Sequence, residues 1–158
     1  MPEPERILLI RPSALGDVAR SVPVLATLRT AYPGARIDWL VQDAFADVVR
    51  GLPALTGVVP FPRNRFRGPL AVPRLLRWLP VLRPARYTLA IDAQGLARSG
   101  AMALATGAHR RLGHADAREG AWLAYTNRVR PGPAIHTVDR MLTLTGALGL
   151  QPVDRKSV

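Results

Sequence analysis

The chain opens with a polar stretch, Met1 to Arg6, that runs directly into four consecutive apolar residues, Ile7, Leu8, Leu9 and Ile10, closed off by Arg11. A short unbroken apolar run between charged residues predicts a strand buried on both faces, the kind found in parallel sheets. Pro12-Ser13-Ala14-Leu15-Gly16-Asp17 then reads as a turn, after which Val18, Val22, Leu25 and Leu28 recur at helical spacing as far as Tyr32-Pro33-Gly34. Pro23 has two readings: it starts the main helix and leaves an irregular turn over residues 18–22, or it kinks one longer helix. Ile37, Trp39, Leu40 and Val41 predict a second strand, Ala44 to Val49 a short helix, and Val58 to Phe61 a third strand. Beyond an arginine-rich loop, Pro62 to Pro69, come a helix carrying Leu75, Leu76, Leu79 and Leu82 and a fourth strand, Tyr87 to Asp92. An alanine-rich helix over 98–106, a short strand from Arg110 to Gly113, and a last helix over 136–149 with Val138, Met141, Leu142 and Leu148 inward complete the pattern. Strands alternating with helices through right-handed crossovers predict an α/β fold. Its expected form is a Rossmann-like open, mainly parallel sheet with helices on both faces and ligands beyond the carboxyl ends of the strands.

Composition narrows the function without naming it. At 158 residues, 48% hydrophobic and 21% charged, the chain is one globular domain and not a disordered one. It has no cysteine, which excludes disulfide scaffolds, thiolate metal sites and cysteine nucleophiles. No apolar stretch is long enough to span a bilayer, and the polar start is unlike a secretory signal, so the expected compartment is cytoplasmic. The 22 basic residues outnumber the 11 acidic ones, and Lys156 is the only lysine. Arginine's planar fork suits phosphate and carboxylate, so this balance points to an anionic partner, although a compositional bias toward arginine, alanine and proline produces the same count.

Three places offer chemistry. Ser13, Gly16 and Asp17 lie just past the first strand, where open α/β sheets bind ligands, but the sequence there is neither a P-loop nor a GxGxxG fingerprint. Asp17 either caps the following helix or serves as a general base toward a hydroxyl at the sheet edge. Between Asp47 and Asp92 there is no acidic residue, while Arg63, Arg65 and Arg67 alternate through one loop. That loop is either a clamp on an anion or a solvated charge run, and Phe66, Leu70 and Trp78 beside it permit contact with an anionic lipid surface. Asp92 and Gln94 end the fourth strand on the same edge, where Asp92 either satisfies backbone donors or faces the cleft. Arg11 is a further cleft candidate. His109, His114 and His136 are too scattered for a metal site, and no nucleic-acid-binding signature is present, so neither metal nor nucleic acid is expected.

Together these segments resemble glycosyltransferase family 9, the lipopolysaccharide heptosyltransferases, most closely the members that add the first heptose. The resemblance runs through Ile7 to Val18 (ILLIRPSALGDV), Tyr32-Pro-Gly with Ile37-Asp-Trp-Leu-Val, Asp92 to Leu96 (DAQGL) followed by Arg98-Ser99, Ala117-Arg118-Glu119, Tyr125 to Arg128, and His136 to Arg140. It implies the N-terminal, acceptor-side half of a two-domain GT-B enzyme over residues 1–150, with 151–158 a linker or ragged end and the donor-binding domain absent. It implies Asp17 as the base of an inverting, metal-independent transfer of heptose from the sugar nucleotide ADP-heptose to a Kdo-lipid A acceptor, with no cofactor. Ser13, Gly16, Arg63, Arg65, Arg67 and Arg118 would bind that acceptor, Arg11 standing where the family often has lysine. A fragment of this kind is expected to be inactive alone and to lie in the cytoplasm, peripherally at the inner face of the inner membrane. The competing readings are another family 9 transferase and a non-catalytic module for anionic lipid or RNA.

Overall fold

The structure is a computed structural model that describes residues 3–133 and 136–153; of the expected tail over 151–158, residues 154–158 lie outside the described residues. The elements run β1 (Arg6–Ile10), α1 (Leu15–Arg20), α2 (Val22–Ala31), β2 (Arg36–Gln42), α3 (Ala46–Arg50), β3 (Gly57–Phe61), α4 (Ala71–Trp78), β4 (Leu89–Asp92), α5 (Ala97–Ala105), β5 (Arg110–His114), β6 (Asn127–Val129) and α6 (Thr137–Gly146). The sheet order is β3-β2-β1-β4-β5-β6 and every pairing is parallel. The chain winds outward from β1 through β2 and β3, then returns to the other side of β1. The carboxyl ends of β1 and β4 thus lie side by side, with Ile10 opposite Asp92, and the reversal of winding leaves a crevice at that point.

Alternation along β1 builds two cores, because successive side chains leave a strand on opposite faces. Ile7 and Leu9 join Val24, Leu25 and Leu28 of α2 and Met141, Leu142 and Leu144 of α6 on one face. Leu8 and Ile10 join Leu79 and Leu82, with Met102 and Ala103 of α5, on the other. The four residues of the opening run are fully buried, as a strand covered on both faces requires.

Pro23 lies in the first turn of α2, where its missing N–H costs nothing, and residues 15–20 form a separate short helix instead of an irregular turn. The helix expected to carry Leu75 through Leu82 is shorter than its pattern. It ends at Trp78 and continues as a 3₁₀ stretch, Leu79–Ala85, because Pro80 and Pro84 cannot donate to an α-helical ladder. The fourth strand pairs only from Leu89. Tyr87 lies outside the ladder, buried, with its hydroxyl donating to Asp38 Oδ2 at 2.8 Å. The pattern did not predict β6, three largely exposed residues with no apolar run. At the last described residue, Val153 N–H donates to Thr27 Oγ1 at 3.3 Å, so the chain is still docked on α2 there.

Candidate active site

Asp17 stands in the first turn of α1, above the carboxyl end of β1, and it is not a cap. The N-cap position belongs to Ala14 and carries no side-chain cap bond. Both carboxylate oxygens go to arginines instead: Oδ2 lies 2.7 Å from Arg11 Nη2 and Oδ1 lies 3.2 Å from Arg20 Nη1. Burial pushes this carboxyl up, but the Arg11 guanidinium, helped by Arg20, outweighs it and holds Asp17 below the usual carboxylate range. The carboxylate is therefore ionised and oriented, and its side chain is 30% exposed to solvent.

Arg11 explains that orientation. Only 7% exposed, it lies beneath the cleft and does not line it, contrary to the expectation from position. Its Nη1 donates to the carbonyl of Ala93, just past β4, while its Nη2 holds Asp17 and its Nε has no partner among the described residues. One guanidinium therefore ties the ends of two neighbouring strands to the carboxylate above them. Asp92 is likewise removed from the cleft. It is fully buried, its Oδ1 accepts from the N–H groups of Gln94 (2.8 Å) and Gly95 (3.0 Å), and its Oδ2 accepts from the Tyr125 hydroxyl at 2.6 Å. These bonds shape the turn after β4, where Gly95 takes a left-handed φ of 73°. Burial pushes the Asp92 carboxyl up against the pull of Tyr125 and the two amides, and burial followed by the Asp92 charge pushes the Tyr125 hydroxyl up.

Of the other expected site residues, Ser13, Arg63 and Gln94 line one pocket at the sheet edge, together with Pro12, Phe61, Leu96, Arg98 and Ser99. The Ser13 N–H donates to Gln94 Oε1 at 3.4 Å, and Arg63 Nη1 donates to Gln42 Oε1 at 3.3 Å. Gly16 has open space around it: a Cβ there would meet nothing within 4 Å. The arginines of the loop do not converge. Arg65 lines a separate hollow of ≈ 410 Å³ with Phe66, Arg74, Arg77 and Trp78. Arg67 is exposed, and Arg118 is exposed too, joined to the crevice by its N–H, which donates to Gly95 O at 2.9 Å.

Arg98 was named in the sequence only as part of a motif, yet it shares the pocket with Ser13 and Arg63. Its guanidinium lies 5.6 Å from the centroid of the Phe61 ring. The signal that could have found it is its place in the first turn of the helix after β4, on the ligand-bearing edge. The histidines do not gather. His114 is buried against α6, with Nε2 3.0 Å from Arg140 O, an acceptor only, so that nitrogen carries the hydrogen. His136 Nδ1 accepts from Val138 N–H at the start of α6. Among the described residues no three metal-ligating side chains come together, and no helix is long and apolar enough to cross a membrane.

A parallel sheet in this order, with an ionised carboxylate and several arginines at its point of reversal, defines the Rossmann-like class that binds substrates at the carboxyl edge. Residues 76–156 match the model of glycosyltransferase family 9 (heptosyltransferase), about half of the chain, and the chain belongs to that family. Lipopolysaccharide heptosyltransferase 1 of Escherichia coli K12 is 32% identical over 143 residues, which cover 85% of this chain and 44% of that protein. The Pseudomonas aeruginosa protein of the same name is 37% identical over 98 residues, 60% of this chain and 28% of its own length. The structure of Escherichia coli heptosyltransferase WaaC with ADP-2-deoxy-2-fluoro heptose superposes with a TM-score of 0.77 at 27% identity, over 94% of this chain and 50% of that one. The chain thus spans about half the length of the relatives it matches.

Proposed function

We propose that this chain is the acceptor-side half of a lipopolysaccharide heptosyltransferase, residues 1–150 forming the acceptor domain and a second Rossmann-like domain binding most of the donor, ADP-heptose. The acceptor is a Kdo-bearing lipid A precursor. One hydroxyl of its sugar attacks the anomeric carbon of the heptose from the face opposite the leaving group. The new C–O bond forms as the bond to the ADP phosphate breaks, and the hydroxyl proton passes to the Asp17 carboxylate. Ser13 and Gly16 shape the turn that presents Asp17, and Arg63, Arg65, Arg67 and Arg118 attract the acidic groups of the acceptor. Gln94 belongs to the same pocket wall as Ser13.

The observation that carries this reading is Asp17: ionised, fixed by a buried arginine and partly exposed just past the carboxyl end of β1, in a chain of this family. The neighbouring surface supports a membrane contact as part of this reading. Leu70, Val72 and Leu76 are exposed beside Arg65, Arg67, Arg74 and Arg77, a combination that suits peripheral attachment to an anionic cytoplasmic leaflet. The test measures ADP release with Kdo-lipid A and ADP-heptose. The 158-residue chain alone turns over no donor, whereas the chain joined to the donor-side half of a family member does. In that joined protein Asp17→Asn lowers kcat by roughly 10²-fold or more while acceptor Kd stays within about twofold. Full turnover by the Asn variant refutes Asp17 as the base.

A further inference from the structure

Asp92 ends β4 fully buried and, among the described residues, forms no ion pair. A buried carboxylate without a cation is costly, and hydrogen-bond donors must offset the loss of water. Asp38, also buried, has the cation Arg36 beside its own tyrosine donor, Tyr87. Asp92 relies on neutral donors: the N–H groups of Gln94 and Gly95 on Oδ1, and the Tyr125 hydroxyl on Oδ2 at 2.6 Å. Room for that hydroxyl is built into the sheet. Gly113 lies opposite Asp92 on β5, and any side chain there would overlap the Tyr125 ring, which is 4% exposed.

The peptide between Ala93 and Gln94 carries the effect onward. A trans peptide is planar and aims its N–H and C=O in opposite directions, so the bond from the Gln94 N–H to Asp92 also sets where the Ala93 carbonyl points. That carbonyl accepts from Arg11 Nη1, while Arg11 Nη2 holds Asp17. A guanidinium is a rigid fork, so fixing one Nη directs the other. The Ala93 N–H donates to Ile10 O at 3.0 Å, which ties the same turn to β1. A chain of hydrogen bonds thus begins at the Tyr125 hydroxyl and ends on the Asp17 carboxylate, although the two residues lie on different strands' exits.

We infer that Tyr125 is a positioning residue for the Asp17 base: its hydroxyl holds Asp92, Asp92 sets the Ala93–Gln94 peptide, and that peptide aims Arg11 at Asp17. The inference rests on the reading of Asp17 given above. Tyr125 itself touches no substrate. Burial pushes the Asp92 carboxyl up, and the Tyr125 bond is foremost among those that hold it down. Without the hydroxyl, Asp92 shifts toward its neutral form and grips the two amides less firmly, because hydrogen bonds to a charged acceptor are the stronger ones.

The test compares Tyr125→Phe with Tyr87→Phe, which removes the matching hydroxyl from Asp38, away from the Asp17 turn. In the 158-residue chain, NMR follows solvent exchange of the Arg11 guanidinium protons. Tyr125→Phe speeds that exchange roughly tenfold or more, and Tyr87→Phe leaves it at the wild-type rate. In the chain joined to a donor-side half, Tyr125→Phe lowers kcat roughly tenfold or more with acceptor KM within about twofold, and Tyr87→Phe changes neither. Asp92→Asn keeps an acceptor for the two amides without its charge, moves both readouts in the same direction, and carries the test if circular dichroism finds Tyr125→Phe unfolded. Arg11 exchange equal in the two tyrosine variants overturns the inference and leaves the reading of Asp17 standing. Faster exchange with full turnover in Tyr125→Phe, where Asp17→Asn loses turnover, makes Tyr125 merely structural and overturns it too. If Asp17→Asn also keeps full turnover, the base reading falls and the inference with it.

Discussion

Replacing Arg11 by Met removes a buried charge at nearly constant volume and leaves Asp17 with Arg20, whose side chain is 52% exposed. With charge centres about 4 Å apart, the Arg11–Asp17 attraction is about 4 kcal/mol gross at an effective dielectric near 20. Breaking a fully buried pair by deleting one partner costs about 3–5 kcal/mol. Asp17 is partly wetted, which lowers its share, while the Ala93 carbonyl loses its donor at about 1 kcal/mol. The expected loss is about 2–4 kcal/mol, read as a fall of roughly 1–2 M in the urea midpoint. A second readout separates this from a packing defect. In the wild type Asp17 titrates below the usual carboxylate range, so its stabilisation is complete above an unfolded value near 3.8 and is lost as pH falls through the lowered one. Without Arg11 only burial and Arg20 remain, and the carboxyl resonance of Asp17 titrates at higher pH. Arg11→Lys keeps the charge but cannot reach both Asp17 and Ala93 with a fork, so it retains the low titration at intermediate stability. A loss under about 0.5 kcal/mol with an unmoved Asp17 titration refutes Arg11 as the anchor.

Gly113→Ala is expected to destabilise by about 2–4 kcal/mol in the same assay: a Cβ there would overlap the Tyr125 ring, whose Cδ2 stands 2.6 Å away, and would displace the hydroxyl from Asp92. Unchanged stability would mean that the ring moves freely. His114 contributes with the opposite proton preference to a surface histidine. Burial, followed by the Arg140 charge, lowers its pKa below 6.5, so its neutral form is favoured in the folded state. Stability linked to it is therefore full above about 6.5 and declines as pH falls toward the lowered value, and His114→Gln flattens that slope in thermal melts between pH 7 and 5.

Much of the scaffold was legible because local pattern carried it. The run Ile7 to Ile10 reads as a doubly covered strand from four residues alone, and the alternation after it dictates parallel pairing. The exceptions have local causes of another kind. Two prolines turned the end of α4 into a 3₁₀ stretch, and β6 is a short edge strand whose pairing with β5 replaces any apolar signal. At the site, position at the carboxyl edge and the family motif singled out Asp17, while its supposed capping role failed because both oxygens found arginines. Arg98 carried no signal beyond its place in the first turn of α5, since nothing local indicates that Phe61 will lie beneath it.

Residue order alone set the strand-and-helix alternation, the excess of arginine and the motifs that tie the chain to its family, because each is a property of neighbours along the backbone. Which charges are spent and which stay free was settled only in three dimensions. Arg11 meets the Ala93 carbonyl across 82 positions, Asp92 meets Tyr125 across 33, and one arginine loop splits between two hollows. The physical reason is that a side chain's charge is written in its chemistry, but its hydration and its partners depend on the crossover that returns β4 to the side of β1.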